Sequence, residues 1–352
     1  MVIIGADLHK RSHTLVAVDG RGRKLAERTA SATPAGHLAL LRWARARFTE
    51  RHWALEDCRH LSRGFERDLL AAGETVVRVP PKLMAGQRRS GREPGKSDPI
   101  DALATARVAL REPDLPVARL DGIERDLRLL VDHREDLVAE RTRIEQRLRW
   151  HLHELSPGDE PPARGLARRH VLDGLAAKLA DLDGTVARIA RDLLERVREL
   201  SSTIAALGRE ISGLVTEQAP TLLALQGCGP LTAAKLLGET AGIGRFKSRA
   251  AFARHNGTAP VPVWSGNQTR HRLSRGGNRQ LNVALHRIAV TQLQRPGRGQ
   301  EYLAKRMAAG DTKTEAIRAL RRRISDVVFR CMREDEHLHA TATRRTHLAL
   351  AA

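Results

Sequence analysis

The segment Lys96-Ser97-Asp98-Pro99-Ile100-Asp101-Ala102 follows a basic loop at residues 87–95 and opens a predicted helix. Because proline is favoured in the first turn of a helix, we place Asp98 at the N-cap and Asp101 at position N3. Side chains at this spacing lie on one face of a helix, so the two carboxylates project from the same side. Ordinary helix capping explains the segment taken alone. The acidic residues upstream favour a second interpretation, in which both carboxylates belong to a shared site.

Upstream of this segment, strand and helix patterns alternate in the order of a ribonuclease-H-like α/β domain. Apolar alternation predicts strands at 2–8, 14–18, 24–29, 52–57 and 74–79, and helical spacing predicts helices at 34–47 and 62–72. In that topology Asp7 leaves the first strand, Glu56 leaves the fourth strand, and the helix that begins near Asp98 lies beside both. Asp7, Glu56, Asp98 and Asp101 are therefore expected to converge at one edge of a mixed sheet.

Four converging carboxylates are suited to hold magnesium. Mg²⁺ prefers oxygen ligands in an octahedron and keeps several of its waters. Two such ions about 4 Å apart can hold the attacking and leaving oxygens of a phosphoryl transfer. We therefore predict a Mg²⁺ site formed by Asp7, Glu56, Asp98 and Asp101. Alternatives stay open at single positions: Asp7 alone is compatible with a turn residue at a strand end, and Asp57 is adjacent to Glu56.

The composition indicates a polyanionic partner. The chain has 352 residues, with 61 lysines and arginines against 41 aspartates and glutamates, and a formal net charge of +20. Nucleic acid is a better match than a membrane surface, because no long apolar span is present. Aromatic residues make up only 3% of the chain. Base stacking is therefore limited, and we expect contacts to phosphates and to nucleic-acid shape, with sequence choice left to another component.

The cysteines and the N-terminal pattern indicate the compartment. Cys58, Cys228 and Cys331 are scattered and suggest neither a disulfide framework nor a zinc cluster. The first residues have the pattern of a strand rather than of a signal peptide. These features are typical of a reducing environment, and we expect a bacterial cytoplasmic protein that is associated with the nucleoid.

Two long apolar patterns predict a helical arm. Apolar residues recur at helical spacing over 120–155, and a cleaner heptad pattern continues over 172–214. Between them, prolines and a glycine within 156–164 must break the helix. We predict an antiparallel coiled coil that pairs with itself or with another subunit. A homo-oligomer, a dimer or a tetramer, is the favoured alternative, because so long an apolar edge would otherwise face water.

A glycine-rich turn predicts a helix-hairpin-helix. The sequence Gly227-Cys228-Gly229-Pro230 lies between two helical patterns, with Pro230 at the start of the second helix. Backbone N–H groups freed by Gly227 and Gly229 can cradle a DNA phosphate. An ordinary helical turn is an equally good interpretation of the same residues.

The segment 241–300 contains eleven lysines and arginines and no aspartate or glutamate. Its positive side chains must therefore lie against phosphates or repel one another. Within it, Ser265 is followed by basic and polar residues, which are Arg270, Arg272, Arg275 and Asn278. A serine so placed can meet a phosphodiester, but its hydroxyl is a weak nucleophile that needs a base or a metal. No acid is local, so activation would come from the N-terminal carboxylates; alternatively, Ser265 only makes hydrogen bonds within a loop.

These patterns divide the chain into four parts. We predict a metal-binding catalytic domain at 1–118 and a coiled-coil arm at 119–216. A domain with the helix-hairpin-helix and the serine follows at 217–333, and a flexible tail at 334–352. The predicted fold class is α/β plus all-α, with a ribonuclease-H-like mixed sheet followed by helices.

Six motifs occur in a specific order, and they are Gly5-Ala6-Asp7, Leu55-Glu56, the segment 96–102, Gly227-Cys228-Gly229-Pro230, Asn256-Gly257-Thr258-Ala259-Pro260 and Trp264-Ser265-Gly266. Together they resemble the DEDD transposases of the insertion-sequence 110 family, recombinases with a RuvC-like N-terminal domain. The resemblance covers nearly the full chain. It implies that Asp7, Glu56, Asp98 and Asp101 are the DEDD metal ligands and that Ser265 is a nucleophile that joins covalently to DNA. It also implies a structured noncoding RNA that pairs with target and donor DNA, which agrees with the shortage of aromatic residues.

We therefore expect a DNA transposase or recombinase that uses Mg²⁺ and a serine–DNA intermediate. The enzymatic alternative is a metal-dependent, RuvC-like or ribonuclease-H-like junction endonuclease, which uses activated water and needs only the four acids. The alternative without catalysis is a basic coiled-coil architectural protein that binds nucleic acid and whose acids only cap helices.

Overall fold

The chain folds into two compact units, Met1–Gly122 and Ile123–Ala352. The computed structural model describes residues 1–56, 61–81, 83–84, 97–112, 115, 117–119, 122–265, 268–272 and 276–350, without the side chains of 263–272 and 342–350. The basic loop predicted at 87–95 lies outside the described residues. No helix in the described part combines the length and the apolar composition that a membrane span requires.

The first unit contains a five-stranded mixed sheet with the strand order β3-β2-β1-β4-β5. Its elements are β1 (Val2–Leu8), β2 (Ser12–Val18), β3 (Lys24–Ser31), α1 (Pro34–Arg47), β4 (Arg51–Glu56), α2 (Arg63–Ala71), β5 (Val76–Val79) and α3 (Asp98–Arg111). The first three strands form an antiparallel meander, whereas β4 and β5 run parallel to β1. This order confirms the mixed sheet predicted from the sequence, with its meander of three strands followed by two parallel strands.

The two faces of the sheet are covered by different helices. One face packs on α1 and α2 in a core that includes Ile4 and Phe65. The other face packs on α3 in a core that includes Ile3 and Ala106. Since the side chains of a strand alternate between its faces, the odd-numbered residues of β1 face α3. Asp7 therefore belongs to the face that α3 covers.

Helix α3 crosses β1 at Gly5 so closely that a side chain has no room there. A Cβ atom at Gly5 would lie 2.2 Å from the carbonyl oxygen of Ala102 and 2.4 Å from the amide nitrogen of Ala106. Only glycine permits this approach of one backbone to another. The contact sets the separation between the end of β1, which carries Asp7, and the first turn of α3.

Replacing Gly5 by alanine should lower the free energy of unfolding of the first unit by about 1–3 kcal/mol, because overpacking a tight contact forces the backbone to shift. Gly20→Ala is the matched control, since nothing lies within 4 Å of a Cβ atom at Gly20. Urea unfolding of the two variants measures the difference. Equal stability of the two variants would show that α3 moves away from β1 at little cost.

A pair of buried histidines lies on the face covered by α1 and α2. His13 of β2 is 2% exposed, and its Nε2 lies 3.2 Å from Nε2 of His37 in α1. His37 donates from Nδ1 to Asp68 of α2 at 2.6 Å, and the ring of Phe65 packs against both imidazoles. Burial, reinforced by the neighbouring His37, lowers the pKa of His13 to about 4. The fold therefore holds His13 in its neutral form.

Lowering the pH should destabilise the first unit through His13. Its pKa is 6.5 in the absence of the fold and about 4 within it, so the unfolded state binds the proton first. The stabilisation is fully present above the unfolded pKa and is lost as the pH falls towards the folded pKa, by about 3 kcal/mol in total. The free energy of unfolding should fall less steeply with decreasing pH in His13→Gln, which cannot titrate. Identical slopes in the two proteins would exclude His13 as the titrating group.

The described part of the second unit is helical apart from one hairpin and two short 3₁₀ turns. Its helices are α4 (Ile123–Leu155), α5 (Arg169–Ala180), α6 (Thr185–Gln218), α7 (Pro220–Leu223), α8 (Pro230–Thr240), α9 (Arg249–His255), α10 (Arg279–Leu293), α11 (Arg298–Ala308) and α12 (Lys313–Leu350). The hairpin consists of β6 (Val261–Ser265) and β7 (Gln268–Arg272), and we call it the serine hairpin.

The long helices α4 and α6 pack side by side in opposite directions. Leu148 and Leu193 share one apolar cluster, and Leu127 and Ile211 share another at the opposite end of the pair. The heptad pattern at 172–214 is not one helix, because the chain breaks between α5 and α6 at Gly184, which has φ of +98°. Most apolar positions of the pattern are buried within this chain and so do not require a second subunit. The coiled coil and the homo-oligomer stay predictions.

The end of the chain differs from the flexible tail expected at 334–352, because helix α12 continues to Leu350. Within it, Asp335 is 1% exposed. Its carboxylate accepts hydrogen bonds from the backbone N–H groups of Thr221 at 2.9 Å and Leu222 at 3.2 Å, and so caps the short helix α7. This buried carboxylate explains why the helix stays attached beyond residue 333. The predicted boundary between 216 and 217 stays a prediction.

Candidate metal centre and serine hairpin

The end of β1 and the first turn of α3 bring two carboxylates and an imidazole together. His9 Nε2 donates to Asp7 Oδ2 at 2.9 Å and lies 3.3 Å from Asp98 Oδ1. One possible ligand atom from each of these residues lies within 4.8 Å of the other two. Asp7 is buried, whereas the side chains of His9 and Asp98 are each 50% exposed. Carboxylate oxygens and an imidazole nitrogen at this separation can coordinate one divalent cation.

The first turn of α3 begins one residue earlier than predicted. Ser97 is the N-cap, so Asp98 is at N1 and Asp101 at N4, rather than at the N-cap and N3. The backbone N–H of Asp101 donates to the carbonyl oxygen of Ser97 at 3.0 Å and closes the first turn. The spacing of the two carboxylates is unchanged, so they still share a face of the helix. The positive end of the helix dipole lies at the same turn and favours negative charge there.

The pKa values indicate that negative charge is crowded at this site. Burial raises the pKa of Asp7, His9 offsets part of that effect, and the carboxylates of Asp101 and Asp98 raise it further. Burial alone would lower the pKa of His9, but Asp7 and Asp98 outweigh burial and raise it. Neighbouring carboxylates disfavour each other's charged form unless a cation neutralises them. The site therefore fits a divalent cation by its charge as well as by its ligand atoms.

The four predicted metal ligands are not equally placed. Asp7 and Asp98 belong to the cluster, and buried Asp101 is close enough to raise the pKa of Asp7. Glu56 is the last residue of β4, the strand next to β1, and pairs in register with Val79 of β5. The structure thus places Glu56 at the same edge of the sheet, while the cluster of ligand atoms consists of Asp7, His9 and Asp98.

The sequence analysis missed His9. Its backbone N–H donates to the carbonyl oxygen of Ser12 at 3.0 Å, just beyond the end of β1. The available signal was its position two residues after Asp7, since residues two apart in an extended chain share a face. That signal is weak by itself, because a single histidine near a carboxylate has no characteristic spacing.

Backbone pairing places Ser265 at the tip of the serine hairpin. Strands β6 and β7 are antiparallel, and Ser265 pairs with Gln268 as the last pair before the turn. Arg270 and Arg272 lie further along β7, towards the root of the hairpin. The side chains of Ser265, Arg270 and Arg272 lie outside the description, as does the whole of Arg275.

The root of the serine hairpin is fixed by close backbone contacts. Gly257 has φ of +72°, and a Cβ atom there would lie 2.6 Å from the carbonyl oxygen of Gly276. Gly277 has φ of +88°, and its Cβ atom would lie 2.5 Å from the carbonyl oxygen of His255. The backbone N–H of Asn278 donates to that same carbonyl at 2.6 Å. The segments that lead into β6 and out of β7 are therefore held together without side chains between them.

Asn278 has a structural role at this root. Its Oδ1 accepts hydrogen bonds from the N–H groups of Gln280 and Leu281 and so caps α10. Its Nδ2 donates to the buried carboxylate of Glu239 at 2.6 Å. Both ends of the amide are thus engaged within the protein, and the nucleic-acid contact predicted for Asn278 stays a prediction.

The glycine-rich turn before α8 is also built for packing. Gly227 has φ of +87°, and a Cβ atom there would lie 2.9 Å from the carbonyl oxygen of Ile288 in α10. Gly229 is the N-cap of α8, and nothing lies within 4 Å of a Cβ atom at that position. The helix before this turn, α7, has only four residues. A helix-hairpin-helix that binds phosphate at Gly227 and Gly229 stays a prediction.

Two family models match the chain. The DEDD_Tnp_IS110 model, described as a transposase, matches residues 4–157, and the model of the IS116/IS110/IS902 transposase family matches residues 219–304. The chain is 29% identical to the insertion element IS116 uncharacterized 44.8 kDa protein of Streptomyces clavuligerus, over 98% of each chain. It is 26% identical to the insertion element IS900 uncharacterized 42 kDa protein of Mycobacterium paratuberculosis, over 78% of this chain and 81% of the relative.

Among solved structures, the chain is similar to RuvC of Thermus thermophilus. The identity is 18% and the TM-score 0.27, with 34% of this chain and 99% of RuvC covered, for RuvC in complex with a Holliday junction substrate. A second structure of Thermus thermophilus RuvC gives the same identity and TM-score, with 34% of this chain and 100% of RuvC covered.

The mixed sheet, the acids at the end of β1 and the family models define the class of protein, a transposase with an α/β N-terminal unit. Both family models and the full-length relative then identify the family. The chain belongs to the IS110 family of transposases.

A divalent cation should stabilise the first unit through Asp7 and Asp98. Mg²⁺ or Mn²⁺ at about 100 times its Kd should raise the free energy of unfolding by about 2.7 kcal/mol, measured as an increase in Tm. Asp7→Asn removes a buried ligand charge and should abolish this increase. Asp19→Asn is the control, since Asp19 is a carboxylate of the same unit that binds Arg23 in a turn. An equal increase in Asp7→Asn would contradict the assignment of the metal centre.

Proposed function

We propose that this chain is an insertion-sequence transposase that cuts and rejoins DNA through a covalent serine–DNA intermediate. Ser265 is the nucleophile in this proposal, and a Mg²⁺ site at Asp7, Glu56, Asp98 and Asp101 assists it. The observation that carries the proposal is the cluster of Asp7, His9 and Asp98 in a chain of the IS110 family.

The first unit would hold a divalent cation at the scissile phosphate. Asp7 and Asp98 would hold the cation, with Asp101 beside them and Glu56 joining from the end of β4. When bound, the cation acts as a Lewis acid that polarises the phosphate and stabilises its negative charge. The chain's own contribution is preorganisation: burial shields Asp7 from water, and His9 holds the carboxylates of Asp7 and Asp98 next to each other.

The covalent step exchanges one ester oxygen for another. Ser265 Oγ loses its proton and forms a bond to phosphorus, while the bond from phosphorus to a deoxyribose oxygen breaks and that oxygen takes up a proton. The phosphoserine ester keeps the energy of the broken bond, so rejoining needs no further source. Because the segment 241–300 contains no acid, we assign activation of Ser265 to the carboxylates of the first unit, in the same chain or in a second subunit.

The composition supports the partners in this proposal. Eleven basic residues and no acid in 241–300 favour a DNA backbone as the ligand of the serine hairpin. Aromatic residues make up only 3% of the chain, so the protein can recognise few bases by stacking. A structured noncoding RNA that pairs with donor and target DNA would then supply the sequence specificity. A homo-oligomer completes the proposal, since it lets serine and carboxylates come from different subunits.

Ser265→Ala should abolish a protein–DNA adduct that survives denaturation, because the alanine has no oxygen to form the ester. DNA affinity should stay within about twofold of the original protein, since one neutral hydroxyl contributes little net binding energy. The adduct is measured by mass spectrometry as a nucleotide on residue 265 after reaction with DNA, Mg²⁺ and RNA transcribed from the element. Ser274→Ala is the control, because it removes a second serine of the same segment.

The outcomes also separate the alternatives. Magnesium-dependent cleavage that persists in Ser265→Ala, with no protein on the product, would favour a junction endonuclease that uses activated water. DNA binding without any magnesium-dependent cleavage, together with a change of about 1 kcal/mol or less in the stability of Asp7→Asn, would favour an architectural protein. An adduct that persists in Ser265→Ala would exclude Ser265 as the nucleophile.

A further inference from the structure

Arg321 of α12 is a half-buried arginine with only a neutral partner in the described part of the chain. Its Nη1 donates to Oδ1 of Asn282 at 2.9 Å, and its Nε is buried without a hydrogen-bond partner. No carboxylate of the described residues lies within ion-pair distance of Arg321. A guanidinium removed from water without a counter-charge is costly, so such an arginine is expected to meet an anion supplied from outside the chain.

Other arginines of the same region are paired. Arg322 binds Asp326 at 2.5 Å, Arg323 lies over the ring of Tyr302 at 4.5 Å, and Arg306 binds Asp311. Arg321 is therefore distinguished from its immediate neighbours on α12 by the lack of a described acidic or aromatic partner.

Two further cationic or titratable groups lie near Arg321. Arg318, one turn earlier on α12, makes no hydrogen bond or ion pair with any described residue. Burial and Arg318 together lower the pKa of Arg321. Burial and Arg321 together lower the pKa of His286, an exposed residue of α10. Arg318 and His286 therefore both lie beside Arg321, and the two arginines concentrate positive potential at this place.

The cluster is connected to the root of the serine hairpin. Asn282, which accepts from Arg321, donates from Nδ2 to the carbonyl oxygen of Asn256 at 3.0 Å. Asn256 is fully buried, donates to Ser325 of α12 at 2.8 Å, and accepts at Oδ1 from both the backbone and the hydroxyl of Thr258. A chain of neutral hydrogen bonds thus fixes Arg321 relative to the start of the hairpin.

The distance from this root to Ser265 limits where an anion at Arg321 would lie. Ser265 is the seventh residue after Thr258, so an extended chain between them spans at most about 23 Å. Successive phosphates of one DNA strand advance about 3.4 Å along the helix axis. A DNA strand that meets Ser265 therefore reaches the start of the hairpin at Thr258 within about seven nucleotides, and Arg321 is joined to that point through Asn282 and Asn256.

We propose that Arg321, Arg318 and His286 form a phosphate-binding site for the DNA strand that Ser265 attacks, a few nucleotides from the scissile bond. The identity of the bound strand and its distance from the scissile bond rest on the proposed function. The chemistry of the ligand, a nucleic-acid phosphate, is inferred from the cluster of Arg321, Arg318 and His286. The neutral tether through Asn282 leaves the full charge of Arg321 available to that phosphate and positions the strand relative to the hairpin.

The salt dependence of DNA binding by the full-length protein tests this site. Loss of one phosphate contact should reduce the slope of log affinity against log salt by about 0.9. For Arg321→Gln the fall in affinity between about 50 and 200 mM KCl should therefore be about 3.5-fold smaller than for the original protein. Arg318→Gln should act in the same direction, and it removes no described hydrogen bond, so its folding is not at risk. The probe is a fluorescein-labelled duplex, and binding is measured by anisotropy.

Two variants control for charge and for chemistry. Arg188→Gln removes the same charge from an exposed position on α6, where Arg188 is paired with Asp192, and should leave the slope unchanged. Arg321→Lys keeps the charge and should restore the slope.

If both Arg321→Gln and Arg318→Gln show the salt slope of the original protein, the proposed site is wrong. A slope change with an RNA duplex but not with DNA would overturn DNA as its ligand. Since the assay involves no cleavage, its result is independent of whether Ser265→Ala abolishes the adduct.

Discussion

The candidate site depends on the contact between Gly5 of β1 and the backbone of α3 at Ala102. Two residues of strand advance about 6.6 Å from Gly5 to Asp7. Four residues of helix advance about 6 Å from Ala102 back to Asp98. The two carboxylates therefore lie at similar distances from one point of contact, which is why Asp7 and Asp98 meet although 90 residues separate them in the sequence. A side chain at position 5 would separate strand and helix at the place where their ends must converge.

Most of this arrangement could be predicted from local patterns. The strand predicted at 2–8 is found at Val2–Leu8, and the helix predicted at 34–47 is found at Pro34–Arg47. Both have strong periodicity and clear end signals. The start of α3 was wrong by one residue, because Ser97 and Asp98 are both good N-caps and Pro99 is compatible with either. The error does not change which carboxylates share a face, so the predicted site tolerates it.

Other features could not be predicted, because they depend on a partner distant in sequence. The heptad pattern at 172–214 marks an apolar face but not what covers it, and the structure covers most of that face with α4 and other helices of the same chain. The attachment of α12 beyond residue 333 depends on the match between one carboxylate, Asp335, and the start of α7. His9 enters the cluster only because the chain turns after Leu8 and returns its imidazole towards Asp7. No spacing in the sequence contains the first two of these contacts, and the spacing of Asp7 and His9 is only a weak signal for the third.

The serine hairpin shows how a segment without acids can be held in place. Its root uses contacts that carry no net charge: glycine backbones at 257 and 277, and the amides of Asn256 and Asn282. The acid nearest to this root in the sequence, Glu239, lies outside the segment, is buried, and accepts from Asn278. Placing acids within the hairpin would neutralise the positive potential that a DNA backbone requires. The absence of acids also leaves Ser265 without a local base, and for this reason the proposed function assigns its activation to the carboxylates of the first unit. In the proposed function, an acidic centre at Asp7 and Asp98 and a separate basic hairpin meet two requirements that one segment does not meet well alone, binding a polyanion and activating a hydroxyl group.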